Sequence, residues 1–305
     1  MEVLYFLEGI RNPFLDRLMM LITNLGSETA FLAIALILFW CVNKRQGYYI
    51  MSVGFVGTIL SQAMKILCRI PRPWVLDPEF TVVEGAMADA GGYSFPSGHS
   101  QASVGTFGSI ARTTESTVLR WVCIAIAVLV PFSRMYVGVH TPADVLVGSG
   151  ISLVLIFLVH PIVYSDSSKA MPRFLGVMVA ISVAYTLFTE FFPFPADTDP
   201  VNLASARKNA YTLLGALLGV ALVYFVDCRK LHFDTKAVWW AQIFKTLLGL
   251  AVVLGVKAGL KAPLDALFGG HLAARAVRYF LVVAVAGIVW PMSFPFFGRL
   301  GGKKS

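Results

Sequence analysis

Apolar segments long enough to cross a membrane recur along almost the whole chain of 305 residues. A helix needs about 20 apolar residues to cross the hydrocarbon core, and only helices or closed barrels satisfy their backbone there. Only 14% of the residues are charged, against about 25% in a typical soluble domain. These features exclude a soluble globular protein and predict an all-α, polytopic bundle of membrane helices.

These apolar segments predict about nine spans, near residues 29–42, 47–67, 97–112, 119–135, 142–160, 174–192, 210–226, 238–257 and 275–293. Residues 3–22 carry four charges among apolar side chains, which predicts an amphipathic helix lying in the membrane interface. The 97–112 segment is rich in Ser, Gly and Ala, so we expect it to pack inside the bundle. The chain is therefore expected to comprise an interfacial helix over 1–27, a six-helix membrane core over 28–193 and three further membrane helices over 194–305.

The net charge of the chain is +8, which fits basic loops that face anionic lipid headgroups. No feature of the charge pattern indicates nucleic-acid binding. The four cysteines stand far apart, without the spacing of a metal site or a disulfide framework. We interpret them as small apolar residues in membrane helices.

Three polar segments, called the motif clusters below, fall at one predicted end of the bundle. They are Lys65-x6-Arg72-Pro73, Pro96-Ser97-Gly98-His99 and Ser133-Arg134-x5-His140-x3-Asp144. Each lies at the end of a predicted span, so we expect all three to converge on one pocket. Ionisable groups at span ends inside a bundle indicate a functional site.

The first two clusters and one arginine of the third are suited to binding phosphate. Lys65, Arg72 and Arg134 supply cations, and the two guanidinium groups can hold phosphoryl oxygens in a fork geometry. Ser97 is suited to cap a helix, and Gly98 lets a ligand approach the backbone. The free N–H groups and the dipole at a helix start favour an anion such as phosphate.

Phosphoryl transfer also needs a nucleophile and a proton donor, and the two histidines can supply them. His140 immediately precedes a predicted helix start, which places Asp144 in the first turn, within reach of the imidazole. A carboxylate that holds one ring nitrogen fixes the tautomer and makes the other nitrogen a better nucleophile. His99 has no adjacent acid, which suits a group that donates a proton.

Each of these residues also has a structural interpretation when it is taken alone. Lys65 can extend its ammonium group to the interface from a helix end, and Arg72 can be an ordinary loop cation. Arg134 and His140 can be interfacial anchors, and Asp144 can be a helix-capping acid. The occurrence of all three clusters in this order, on one side of the membrane, points instead to a shared phosphate site.

The motif clusters resemble the signature of the type 2 phosphatidic acid phosphatase (PAP2) superfamily, and every motif position matches. The resemblance covers about residues 29–165. It implies that His140 attacks phosphorus and becomes a phosphohistidine while Asp144 orients its ring. It further implies that His99 protonates the leaving oxygen and later helps to activate water.

By the same resemblance, the phosphoryl oxygens are held by three side chains and two backbone amides. These are the side chains of Lys65, Arg72 and Arg134 and the amides of Ser97 and Gly98. The family needs no metal, and the sequence contains no cluster of metal ligands. We therefore predict no metal and no other cofactor.

A phosphorylated membrane lipid is the expected substrate, because the site lies at a membrane interface; phosphatidate, phosphatidylglycerol phosphate and polyprenyl diphosphate are examples. A soluble sugar phosphate is the alternative, since the nine-span plan resembles the glucose-6-phosphatase branch. Short local likenesses to that branch are Trp74-Val75-Leu76-Asp77 and the Asp-Thr-Asp-Pro stretch at 197–200. Phosphoryl transfer to an acceptor, and a transporter that only binds phosphate, also stay open at this point.

The loops opposite the motif clusters carry 12 basic residues: Lys44, Arg45, Arg112, Arg120, Lys169, Arg173, Arg229, Lys230, Lys236, Arg299, Lys303 and Lys304. The motif side also has 12, but three of them belong to the proposed site. Because cytoplasmic loops carry an excess of Lys and Arg, this distribution favours a cytoplasmic C-terminus. It therefore predicts a multi-pass protein whose active site faces the extracytoplasmic side.

Overall fold

The computed structural model describes residues 1–88 and 90–300, and within these it contains helices and loops but no β-strand. Asp89 and residues 301–305 lie outside the described residues, so the predicted basic pair Lys303 and Lys304 is not located. The prediction of an all-α fold is confirmed.

Fourteen α-helices follow one another along the described chain. Helices α1 to α14 are Glu2–Gly9, Pro13–Asn24, Glu28–Ile37, Lys44–Cys68, Pro73–Leu76, Gly98–Thr113, Thr117–Tyr136, Pro142–Val163, Ala170–Phe191, Pro200–Val226, Trp239–Gly259, Lys261–Leu267, Ala273–Ala284 and Phe294–Arg299. Short π-helical turns continue α3, α10 and α13; these turns are Leu38–Val42, Asp227–Leu231 and Val285–Val289.

Among the described residues, seven helical segments are long and apolar enough to cross a membrane. The pair Pro13–Asn24 and Glu28–Val42 passes the same test only together, with a bend of 51°, and would bring the number to eight. Helix α6, the predicted span near 97–112, has only 16 residues. Its buried face includes Ser100, Gln101 and Ser103, because it packs against other helices and needs no apolar surface toward lipid. The membrane bundle is thus confirmed with seven or eight spans of this kind, where the sequence predicted about nine.

The N-terminal segment forms two helices where one was predicted over residues 3–22. The side chain of Asn12 accepts a hydrogen bond from the Leu15 N–H, and Pro13 occupies the first position of α2. Both features start a new helix, so the chain breaks between α1 and α2. Phe6 and Phe14 are exposed on these helices, as an amphipathic segment at a membrane interface requires. The interfacial placement itself stays a prediction.

The described chain forms two compact units that are interleaved along the sequence. The first comprises Met1–Ala35, Tyr49–Pro161 and Pro193–Ala206, and the second comprises Leu36–Tyr48, Ile162–Phe192 and the chain from Arg207 onward. All residues of the motif clusters belong to the first unit. The predicted division of the chain after residues 27 and 193 stays a prediction.

Within the first unit, backbone contacts bring the start of α6 against the start of α8. The Ser97 N–H donates to the carbonyl oxygen of Asp144 at 2.9 Å. One turn further along α8, Gly148 lies so close to the Ser97 carbonyl that a Cβ atom would overlap it. A residue without a side chain is therefore required at Gly148 for the two helix starts to meet.

We expect Gly148→Ala to destabilise the protein, because overpacking a close contact costs about 1–3 kcal/mol. Gly150 lies on the same helix, and nothing lies within 4 Å of the place that its Cβ atom would occupy, so Gly150→Ala is the matched control. Thermal unfolding of the two purified variants checks this. An unfolding temperature of Gly148→Ala equal to that of Gly150→Ala would contradict the close approach.

Candidate active site

The three motif clusters meet within the first unit. The Nη1 atom of Arg72, from the first cluster, lies 3.0 Å from Nε2 of His140 in the third. The second cluster joins them through the bond from Ser97 N–H to the Asp144 carbonyl. Lys65 lies beside them, with its Nζ donating to the carbonyl oxygen of Ser94 at 3.2 Å. The structure thus brings together residues separated by up to 79 positions from Lys65 to Asp144.

Helix capping fixes the position of the third cluster. The Asp144 carboxylate accepts from the Thr141 N–H at 2.7 Å, and the Thr141 hydroxyl accepts from the Asp144 N–H at 3.3 Å. Pro142 occupies the first turn of α8, where its missing N–H is not needed. This reciprocal cap places His140 directly before the helix and turns the carboxylate back toward its ring.

The contacts of His140 define its tautomer. A guanidinium group can only donate, so the 3.0 Å contact with Arg72 Nη1 requires a lone pair on His140 Nε2. In a neutral ring the proton is then on Nδ1, which lies 3.4 Å from Asp144 Oδ2. The atom with the free electron pair is therefore directed at a cation that can also hold a phosphoryl oxygen.

The surroundings of His140 keep this ring neutral. Burial lowers the pKa of His140 well below its ordinary value of 6.5, since the charged form loses its hydration. The cations Arg72, Lys65 and Arg134 lower this pKa further by repelling an imidazolium, and His99 acts in the same direction. His140 is thus an unprotonated base in the resting site.

Ser94 completes the support of the His140 ring, and sequence analysis did not identify it. Its hydroxyl is fully buried, donates to Asp144 Oδ2 at 2.5 Å and lies 3.4 Å from His140 Nδ1. Since that hydroxyl proton goes to the carboxylate, its oxygen is left to accept the Nδ1 proton. Ser94 lies two residues before the Pro-Ser-Gly-His cluster, but no spacing rule connects it with a histidine 46 positions away.

The two cations of the first cluster are held by backbone carbonyls of the loop before α6. Lys65 Nζ donates to the Tyr93 carbonyl at 2.7 Å. Arg72 donates to the carbonyl oxygens of Gly91 at 3.1 Å and Gly92 at 2.9 Å. Carbonyl oxygens orient these groups without neutralising them, so their positive charge remains available to an anion.

The N-terminal segment also contributes to the site, which sequence analysis missed. Arg134 Nη1 donates to the hydroxyl of Thr23, a buried residue at the end of α2, at 2.9 Å. A Cβ atom at Gly26 would lie 2.9 Å from the His99 carbonyl oxygen. Residues 23–26 therefore pack directly against Arg134 and His99, although they precede the resemblance region.

The start of α6 differs in one respect from the expectation for phosphate binding. Ser97 caps the helix, since its hydroxyl accepts from the Ser100 N–H at 3.3 Å. Its own N–H, however, is already bonded to the Asp144 carbonyl, so this amide does not face an incoming phosphate. Gly98 and His99 are half-buried in the first turn, and their helix-start amides are the ones that remain suited to an anion.

Among residues 1–88 and 90–300, no group of three or more His, Cys, Asp or Glu side chains is arranged to hold a metal ion. The predicted site residues in this part of the chain are instead three cations, two imidazoles and the Asp144 carboxylate. That set suits an anionic, phosphate-bearing ligand.

Comparison with known proteins identifies two families along the chain. Residues 45–167 match the PAP2 superfamily, and residues 211–303 match the family described as PAP2 superfamily phosphatase, transmembrane extension. Undecaprenyl-diphosphatase BcrC of Bacillus subtilis (strain 168) is 31% identical over 165 residues, which make up 52% of this chain and 80% of that protein. Phosphatidylglycerophosphatase B of the same organism is 29% identical over 162 residues, or 49% of this chain and 76% of that protein.

One further relative, from another organism, and one solved structure are also similar to this chain. Undecaprenyl-diphosphatase of Sulfolobus acidocaldarius is 30% identical over 136 residues, or 44% of this chain and 64% of that protein. The crystal structure of a transmembrane PAP2 type phosphatidylglycerolphosphate phosphatase from Bacillus subtilis covers 55% of this chain and 85% of its own, with 26% identity and a TM-score of 0.47.

The apolar helices and these relatives together define an integral membrane phosphatase. The chain belongs to the PAP2 superfamily, and it also carries that superfamily's transmembrane extension. The resemblance predicted from the motif clusters is thereby confirmed.

NMR of histidine-labelled protein should show a neutral His140 ring, with its proton on Nδ1, at pH 6.5, which is the ordinary histidine pKa. The ring should still be neutral at somewhat lower pH. Because the folded-state pKa is lowered, protonation of this ring should begin only at more acidic pH. The chain has five histidines, so His140→Ala assigns the signal. A ring that titrates at its ordinary value, or carries its proton on Nε2, would contradict the geometry.

The same NMR spectrum tests whether Ser94 holds the His140 ring in its tautomer. Ser94→Ala should weaken the preference for the Nδ1 tautomer and lower kcat by about tenfold. A loss of this size is typical when a hydrogen bond that orients a functional side chain is removed, as at metal sites. Ser109→Ala is the matched control, since Ser109 is equally buried and its hydroxyl has no hydrogen-bond partner within the described chain. Equal effects of the two variants would show that Ser94 only fills space.

Proposed function

We propose that this phosphatase removes phosphate from a phosphorylated membrane lipid through a phosphohistidine at His140. The single observation that supports it most is the lone pair of His140 Nε2, which is directed at Arg72 Nη1 at 3.0 Å. A phosphoryl oxygen bound to that guanidinium would bring its phosphorus beside the nucleophilic nitrogen. Nucleophile and charge-stabilising donor are thus adjacent before substrate arrives.

The first step forms the bond from Nε2 to phosphorus and breaks the bond from phosphorus to the leaving oxygen. The leaving oxygen takes a proton from His99. Burial and the nearby cations lower the pKa of His99 in the empty site, so the negative charge of the bound phosphate must raise this pKa before the step. Asp144 stabilises the positive charge that develops on the His140 ring, since its carboxylate faces Nδ1. In the second step neutral His99 takes a proton from water, whose oxygen attacks phosphorus and releases His140 and inorganic phosphate.

The phosphoryl oxygens are proposed to be held by cations from two clusters and by the helix start. Lys65, Arg72 and Arg134 counter the negative charge, which grows at these oxygens in the transition state. The amide of Gly98 adds a fixed donor, and Ser97 keeps α6 in place through its cap. All of the proposed site residues lie within 28–193, which supports the proposed catalytic core over that range.

A lipid substrate is supported by the kind of protein that this chain resembles. The relatives compared above are named for undecaprenyl diphosphate and phosphatidylglycerophosphate, both phosphorylated lipids. The site also lies at the end of membrane helices, where an anchored lipid presents its headgroup. A polyprenyl diphosphate is our first choice, because two of these relatives are undecaprenyl-diphosphatases. No contact among the described residues favours the sugar-phosphate alternative.

We expect His140→Ala to abolish phosphate release and His99→Ala to reduce it, with a smaller loss for a diphosphate substrate. The loss is smaller because a diphosphate releases a phosphate group, which is more acidic than the alcohol released from a phosphomonoester. Such a leaving group needs less help from a proton donor. Phosphate release from polyprenyl diphosphate, phosphatidylglycerol phosphate and glucose 6-phosphate, measured with purified protein, gives the substrate class.

His271→Ala is the matched control in this assay. His271 is exposed, and its Nδ1 accepts only from the nearby Ala273 N–H. Retained activity of His140→Ala would reject the proposed nucleophile. Turnover of glucose 6-phosphate without turnover of either lipid would reject the lipid substrate while leaving the mechanism intact.

We further propose that the site faces the extracytoplasmic side, as the distribution of basic residues supports. Cys68 is exposed at the site end of α4, and Glu115 is exposed at the far end of α6. In cells, a membrane-impermeant maleimide should label a variant with only Cys68, and should not label a variant whose only cysteine replaces Glu115. The opposite labelling pattern would place the site in the cytoplasm.

A further inference from the structure

Three cations surround one aromatic ring in the second unit, within the transmembrane extension. The Cζ atoms of Arg275 and Arg278 lie 6.0 Å and 5.4 Å from the centroid of the Tyr279 ring. Lys257, from α11, brings its Nζ to 5.7 Å from the same centroid. Three like charges around one ring repel one another, so the arrangement is favourable only if something compensates for them.

The side chain of Arg278 is the most unusual member of this group. Arg278 is only 6% exposed, and its Nε has no hydrogen-bond partner among residues 1–88 and 90–300. A buried charge without a partner is costly, and a buried N–H without an acceptor adds to that cost. An ionisable residue in this position within a membrane protein indicates a functional site.

No carboxylate in the described part of the second unit forms an ion pair with these cations. The ion pairs of that unit join Lys44 to Asp227 at 2.7 Å and Arg207 to Glu190 at 3.6 Å. The compensating negative charge for the group around Tyr279 is therefore not supplied by an ion pair among residues 1–88 and 90–300.

Another buried cation of the same unit shows how the fold satisfies a structural charge. Lys245 is fully buried in α11, and its Nζ donates to the carbonyl oxygens of Trp40 at 2.9 Å and Thr235 at 3.0 Å. Arg278 has no such carbonyl partners within the described residues. The comparison suggests that Arg278 has a partner from outside the chain.

Exposure within the group increases from Arg278 outward. Arg278 is buried, Arg275 and Tyr279 are half-buried, and Lys257 is exposed. Arg275 is held in place by its Nε, which donates to the Thr212 hydroxyl at 3.3 Å. An anion can therefore approach past Lys257 and reach the arginines without a change of fold.

We propose that Lys257, Arg275 and Arg278 form a second anion site, which binds a phosphate group outside the catalytic site. The phosphate belongs to the headgroup of an anionic lipid or is free phosphate, since both present the same oxygens. Arginine forks bind such oxygens with paired, charge-assisted hydrogen bonds. None of these residues belongs to the motif clusters, so the site retains its ligand and does not cleave it.

The test measures lipid retention by native mass spectrometry, with phosphatidylglycerol or phosphatidylcholine added to detergent-purified protein. All variants carry His140→Ala, which prevents turnover during the measurement. Arg278→Gln should lower retention of phosphatidylglycerol by about tenfold, the effect of one charge-assisted hydrogen bond, and leave phosphatidylcholine unchanged. Without ligand, its unfolding temperature should equal or exceed that of the parent, because a buried unpaired charge is removed.

Arg229→Gln is the matched control, since Arg229 also lies over a ring, Phe225 at 5.8 Å, but is exposed and is the single cation over that ring within the described chain. The catalytic site is present in both variants, so their difference reports the second site. Loss of phosphatidylglycerol in Arg278→Gln alone supports a lipid headgroup. Stabilisation by inorganic phosphate that is lost in the same variant, without a lipid effect, supports free phosphate.

Two outcomes overturn the proposal. The first is retention of phosphatidylglycerol and a response to phosphate in Arg278→Gln equal to those of the parent. The second is an equal loss of phosphatidylglycerol retention in Arg229→Gln, which would show that lipid retention depends on net charge alone.

Discussion

Arg72 makes the contacts on which the rest of the catalytic site depends. Its guanidinium donates to the carbonyl oxygens of Gly91, Gly92 and Val139 and to Nε2 of His140. It thereby joins the loop before α6 to the chain before α8. Because this group can only donate, it keeps the lone pair of His140 on Nε2. Because it stays charged, it also disfavours a protonated ring.

The catalytic motifs could be predicted from the sequence because local rules fix where they lie. The Ser97 cap and the Thr141-Pro142 start place two histidines at helix beginnings, and the structure shows both starts at the predicted residues. Spans that alternate in direction bring these beginnings to the same end of the bundle. The break before Pro13 followed an equally local signal, the Asn12 cap, so it was predictable although the sequence analysis treated residues 3–22 as one helix.

Other parts of the site depend on packing between distant segments. Ser94 contacts a histidine 46 positions away, and Thr23 contacts an arginine 111 positions away. The sequence around a serine or threonine in an apolar chain does not indicate which distant residue its side chain will contact. Helix α6 has the predicted length of 16 residues, but it is shorter and more polar than the helices that qualify as membrane spans. Burial among other helices lets such a short, polar helix persist inside the bundle.

The chemistry of the site follows from how its cations are held. Lys65 and Arg72 donate to backbone carbonyls of the loop 91–94, which orient them but leave their charge intact. The Asp144 carboxylate is shared by Ser94, Thr141 and the His140 ring, and it does not bond to Lys65 or Arg72. Had acids paired with the cations instead, the site would be neutral and a phosphate would have to displace them. Holding cations with carbonyls makes the site attract phosphate and keeps the nucleophile unprotonated, so one arrangement serves both binding and attack.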